Sequence, residues 1–240
     1  MTGIRKTALV AGLLYLITFV SSIPALFLLS PVLHHADYII GSGADTRVVW
    51  GCLLDVVNAL SAIGTAVALF PVVKRQNEGL ALGFVMSRML EGAVVLIGVV
   101  SLLAIVTLRQ NPSGADPATL LATGHTLVAV RDWTFLLGPG LMPAFNALLL
   151  GTLMYRSRLV PRFIPLMGLI GAPLLLLAVL ATLFGHNTQT STASFFLTLP
   201  VAAWELAVGL YLTVKGFRPS PILPGPVATP TPDRTLATIA

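Results

Sequence analysis

A membrane-embedded bundle of six α-helices is the fold class the sequence predicts, and three observations predict it. Hydrophobic residues make up 56% of the 240-residue chain and charged residues only 10%, where an ordinary soluble domain carries about 25% charged residues. The mean hydropathy is correspondingly high, at +0.91. The apolar residues gather into six runs, each long enough to cross a hydrocarbon core of about 30 Å at about 1.5 Å per helical residue. Basic residues cluster at alternate ends of those runs. With the N-terminus inside, Arg5, Lys6, Lys74, Arg75, Arg156, Arg158, Arg162, Lys215 and Arg218 fall on the cytoplasmic side, leaving Arg47 and Arg109 in outer loops. This bias predicts both termini in the cytoplasm. It also accounts for the net charge of +5 without a nucleic-acid partner.

The first span covers residues 8–29, behind Arg5 and Lys6. It is longer than the apolar region of a signal peptide and no small-residue cleavage site follows it cleanly, so it reads as a retained helix. Residues 30–47, broken by Pro31, Gly41 and Gly43, read as a loop. The second span, 48–73, places Cys52, Asp55, Asn58, Ala62 and Thr65 at steps of three or four, hence on one inward face. The third, 79–108, carries Arg88, Glu91, Val95 and Gly98 on one stripe, with Arg88 and Glu91 one turn apart and able to pair. Residues 109–124, with Pro112, Gly114 and Pro117, read as a polar loop.

The fourth span, 126–155, is the least regular. Arg131 and Asp132 lie near its start, and Gly138, Pro139, Gly140 and Pro143 predict a kink or interruption at its middle. His125, Asp132, Pro139 and Asn146 follow at seven-residue steps, which keeps them near one face. A broken helix at membrane depth suits a cavity wall, and suits a kinked packing helix equally. The fifth span, 163–184, is uncharged, and its Gly168, Gly171, Ala172 and Pro173 favour close helix contact. The sixth, 195–214, centres on Trp204 and Glu205, with Thr198, Glu205 and Gly209 on one face. Residues 219–240 contain six prolines and few groups able to build a core, which predicts a disordered tail after a single domain of residues 1–218.

Ionisable groups inside spans cost about 3 kcal/mol each unless paired or wetted, so they face protein rather than lipid. Asp55, Arg88, Glu91, Arg131, Asp132 and Glu205, joined by Asn58 and Asn146, therefore form the candidate intramembrane polar site. Four acids face two arginines in it, an excess that protons or an admitted cation would neutralise. The same charges also serve a static network that fixes helix register.

The chain resembles the bacterial membrane proteins grouped as domain of unknown function 4386. The likeness runs from Lys6-Thr7-Ala8 and Gly12-Leu13-Leu14-Tyr15-Leu16 through the Asp55 segment and Leu80-Ala81-Leu82 to Arg88-x-x-Glu91. It continues through Leu153-Met154-Tyr155-Arg156-Ser157, Val160-Pro161-Arg162, Trp204-Glu205-Leu206 and Val214-Lys215-Gly216-Phe217. The resemblance implies a multi-pass protein of the bacterial inner membrane; it implies no activity, because the family has none established.

The residues leave three function classes open. A structural or accessory subunit would have a filled interior; a small-solute or proton-coupled transporter would have a water-accessible central pocket. A membrane-embedded enzyme acting on a lipid-like substrate would use Glu91 or Glu205 as general acid or base. The phosphate-loop, dinucleotide, zincin and hydrolase-elbow motifs are all missing, which weighs against an enzyme, and no catalytic residue or cofactor is assigned. His34, His35, His125 and His186 with Asp37, Asp45 and Asp116 match no metal-ligand spacing, so no metal is assigned either. The expected partners are the lipid bilayer and a small-molecule or lipid ligand.

Overall fold

A computed structural model describes residues 3–35, 37–41, 43–112 and 114–223. Among these the chain is helical throughout, with no strand: α1 (Gly3–His34), α2 (Asp45–Val73), α3 (Glu78–Gln110), α4 (Pro117–Phe135), α5 (Met142–Ser157), α6 (Phe163–Leu183) and α7 (Thr192–Val214). A π-helical turn, Leu136–Gly140, joins α4 to α5 without leaving the helix axis, so Pro117–Ser157 is one interrupted span. Six segments are thus long and apolar enough to cross a membrane. The chain is a multi-pass membrane protein.

Two expected loops are shorter than the sequence suggested. α1 continues through Pro31 to His34. Proline has no N–H to give the carbonyl four residues back, and here Arg47 Nη2 donates to that carbonyl, Phe27 O, at 2.6 Å. The donor that Pro31 lacks comes from the next helix. α4 begins at Pro117, inside the segment read as a polar loop. Asp116 caps it: Oδ1 accepts from the amides of Ala118 and Thr119, each at 3.0 Å, and Pro117 follows where a missing N–H costs nothing. The Thr119 hydroxyl and these amides hold the exposed Asp116 carboxyl below its ordinary range.

Sequence neighbours pack side by side in turn, and α1 closes against α7, making a ring of six spans. Small residues allow the last closures. A Cβ at Gly12 would stand 2.6 Å from Thr213 N and 2.8 Å from Gly209 O, and one at Gly168 would stand 2.6 Å from the Trp204 ring.

The two ends of the ring differ. At the basic end, Arg5 donates to three carbonyls at the close of α7, Leu212, Thr213 and Val214, at 2.8–2.9 Å. The chain after α7 also packs here: Arg218 N donates to Leu159 O, Ser220 Oγ to Ser157 O, and Ile222 and Leu223 rest on the core. Residues 224–240, most of the expected disordered tail, lie outside the described residues. At the opposite, distal end a clasp ties α2 to α3. Asp45 accepts from Arg109, Gln110 and the Tyr38 hydroxyl, while Arg109 also donates to Gly41 O. Burial and the bond to Asp45 push the Tyr38 phenol above its ordinary pKa.

The apolar core is divided in the same way. The basic half is filled by residues of α1, α2, α3, α5, α6 and α7, among them Tyr15, Leu69, Phe84, Leu150 and Trp204. The buried cluster of the distal half, including Leu29, Val48, Val99, Leu102 and Ile105, contains no residue of α6 or α7.

Candidate functional site

Arg88 sits on α3 where the filled half ends, and is 2% exposed. Its Nη1 donates to Glu91 Oε2 at 3.1 Å and Oε1 at 3.3 Å, while Nη2 donates to Glu205 Oε1 on α7. The guanidinium lies over the Tyr15 ring at 5.1 Å and the Phe84 ring at 5.9 Å, where the ring faces attract a cation. Asn146 on α5 donates to Glu91 Oε2 at 2.7 Å. Four helices, α1, α3, α5 and α7, thereby meet on one guanidinium and its acids.

This cluster borders a cavity of about 170 Å³ to which every span contributes. Thr18 and Ser22, Asn58, Thr198 and the two glutamates supply its polar wall. Phe19, Pro139, Pro143, Leu175 and Val201 supply the apolar one. Six buried side-chain polar atoms have no protein partner among the described residues: Tyr15 OH, Ser87 Oγ, Arg88 Nε, Arg131 Nε, Asn146 Oδ1 and Trp204 Nε1. Such groups normally find a partner.

The remaining candidates are placed elsewhere. Asp55 on α2 and Arg131 on α4 form a separate buried pair at 3.2 Å, with Arg131 also over the Phe135 ring at 4.8 Å. Gly98 makes room for it, since a Cβ there would stand 2.9 Å from Arg131 Cδ. Asp132, expected in the interior set, is exposed. It lines a second cavity of about 330 Å³ at the distal end, together with His34, His35 and His125. Of the seven-residue ladder, His125 and Asp132 thus line the distal cavity, Pro139 lines the central one, and Asn146 bonds Glu91.

Thus Arg88, Glu91, Asn146, Glu205 and Asn58 come together, Asp55 and Arg131 pair apart from them, and Asp132 joins neither. Sequence reasoning missed Tyr15 and Phe84 as the aromatic surround of Arg88. Tyr15 and Phe84 carried a usable signal: Phe84 precedes Arg88 by one turn, and Tyr15 is an isolated phenol in an apolar span. The Asp45–Arg109 clasp was also missed, because both residues read as loop charges.

The model of the family described as "Domain of unknown function (DUF4386)" matches residues 10–216, from the first span to the end of the last. The chain belongs to this family. No curated protein and no solved structure matches it.

Proposed function

We propose that this DUF4386 member, a multi-pass membrane protein with a buried charged network, binds a proton or small cation at Glu205 and couples it to movement of a small solute through the central cavity. The observation that carries the reading is that two carboxylates share one guanidinium beside a cavity reached by all six spans. Arginine keeps its proton in proteins, so the cluster bears one negative charge in excess when both acids are ionised. One proton or monovalent cation balances it. Among the described residues Glu91 is held by Arg88 and by Asn146, whereas Glu205 has Arg88 alone. Glu205 is therefore the acid of the pair with fewer hydrogen-bond donors holding it.

Protonating Glu205 would weaken the contact between α3 and α7. Because α7 meets α1 and α6 through glycines, its neighbours offer smooth surfaces along which it would shift. Asn58, Thr18, Ser22 and Thr198 supply hydrogen-bonding groups for a small polar solute in the same cavity. We place the protein in the bacterial inner membrane with both termini cytoplasmic, a reading supported by the nine basic residues gathered at one end of the spans.

Infrared difference spectra of the protein in liposomes, recorded through a pH titration, test the site. The expected result is a carboxyl band that titrates in the parent and is missing in Glu205→Gln. Identical spectra for the two proteins overturn the assignment. Orientation is tested separately, in a chain with Cys52 replaced. A cysteine at Gln189 should react with an impermeant reagent in intact cells and one at Asn77 should not; the reverse pattern inverts the topology.

A further inference from the structure

The distal cavity has a chemistry of its own, independent of the central cluster. Its wall is apolar where Val32, Ile39, Ile105 and Val128 face it, and Asp132 stands beside them with His34, His35 and His125. At about 330 Å³ it falls in the range of small-molecule sites, which combine apolar walls with a few placed polar groups. Asp132 is the one Asp, Glu, Lys or Arg among the described lining residues. Among the described residues its carboxylate forms no ion pair: Arg131, next to it in sequence, is paired with Asp55, and His34 is the imidazole that interacts with it across the cavity. Asp132 therefore brings an acid without an ion pair to the cavity, and the imidazoles beside it add ring nitrogens able to hydrogen-bond a ligand.

Two kinds of cation suit a carboxylate with imidazoles, and geometry separates them. A metal ion needs three or more ligands converging on one point, and no group of His, Cys, Asp and Glu among the described residues converges so. An ammonium needs one carboxylate and acceptors around it, and tolerates their spread. The apolar wall then takes whatever hydrocarbon the ammonium carries. We infer that the cavity between the end of α1, the Tyr38 segment and α4 is a binding site for an amphipathic amine, with Asp132 receiving the ammonium and Val32, Ile105 and Val128 the alkyl part. The end of α1 lies at the membrane boundary, so both a soluble alkylamine and the ammonium of an ethanolamine lipid headgroup present this chemistry there.

The test uses the full chain in nanodiscs of phosphatidylcholine and phosphatidylglycerol, titrated calorimetrically with hexylamine, hexanol and hexanoate. Hexylamine should bind at least tenfold more tightly than hexanol, and hexanoate should not bind. Asp132→Asn should lose that tenfold preference, and Asp132→Glu should keep most of it. Val128→Trp, which fills the cavity and leaves the charge, should abolish binding. Equal binding of amine and alcohol, or undiminished binding by Asp132→Asn, overturns the proposal. Including phosphatidylethanolamine in the nanodisc distinguishes the sources: competition with hexylamine assigns the site to the headgroup, and its absence assigns it to a soluble amine. Asp132 is exposed and makes no ion pair among the described residues, so its variants keep the fold, and their melting temperatures check this directly.

Discussion

Arg88 and Arg131 are both buried within spans, at 2% and 6% exposure, yet their surroundings differ in kind. Arg131 faces one carboxylate, so its charge is balanced, and the atoms around the pair belong to packed helices. Arg88 faces two carboxylates and a cavity, so its surroundings carry an excess charge and room for something to balance it. A balanced pair among packed helices has one neutral arrangement. An unbalanced cluster beside a cavity has at least two, which is what a binding site needs and a structural pin does not.

The largest expected effect is at Arg88. Arg88→Leu strands two acids and should destabilise by about 3 to 5 kcal/mol, the usual result of breaking a buried pair from one side. Thermal unfolding in detergent reads this, and a parent-like melt would mean that the guanidinium is not holding the ring together. Arg131→Leu strands one acid and should cost about 3 kcal/mol or somewhat more by the same reasoning.

The double variants sharpen the contrast. Arg131→Leu with Asp55→Leu should return close to the parent, since a buried balanced pair is often replaceable by apolar side chains. Arg88→Leu with Glu91→Gln should recover only part of its loss, because Glu205 remains and Asn146 has lost a charged acceptor. Full recovery at both sites would make the two arginines equivalent and remove the basis for a functional cluster.

Gly98→Ala should cost about 1 to 3 kcal/mol, the range for overpacking, because its Cβ would meet Thr134 Oγ1 at 2.6 Å and displace Arg131. That loss should shrink when Arg131 is already leucine, which a double-mutant cycle measures. The smallest stability change belongs to Glu205→Gln, within about 1 kcal/mol, since the amide keeps the shape and its carbonyl still accepts a hydrogen bond from the Arg88 guanidinium. A large loss there would make Glu205 a structural acid like Asp55.

How far the sequence disclosed this arrangement depends on how local each relation is. Arg88 and Glu91 lie one turn apart on one helix, so their pairing followed from spacing alone. Glu205 is 117 residues from Arg88, and nothing local says which buried acid an arginine on another helix will reach. Arg131 and Asp132 look like one charged unit when written in a row. Successive helical residues point about 100° apart, however, and the bundle takes one inward and leaves the other at the distal cavity. The helical extension through Pro31 was not legible for a similar reason, since the replacement donor, Arg47, comes from another span. The start of α4 was legible in principle, because Asp116-Pro117 is an ordinary helix opening that the surrounding polar residues obscured.

The closure of α1 against α7 bears on how the protein is made. During synthesis α3 is complete at Gln110 with Arg88 and Glu91 already aboard, while Glu205, on the last helix, is still to be translated. Over that interval the guanidinium has a partner on its own helix, which makes the span tolerable to insert. Its second partner, and the three carbonyls that Arg5 binds, arrive together on the last helix. A ribosome that stops before α7 thus leaves the ring open between α6 and α1, with Arg5 and Arg88 both lacking the partners that α7 brings.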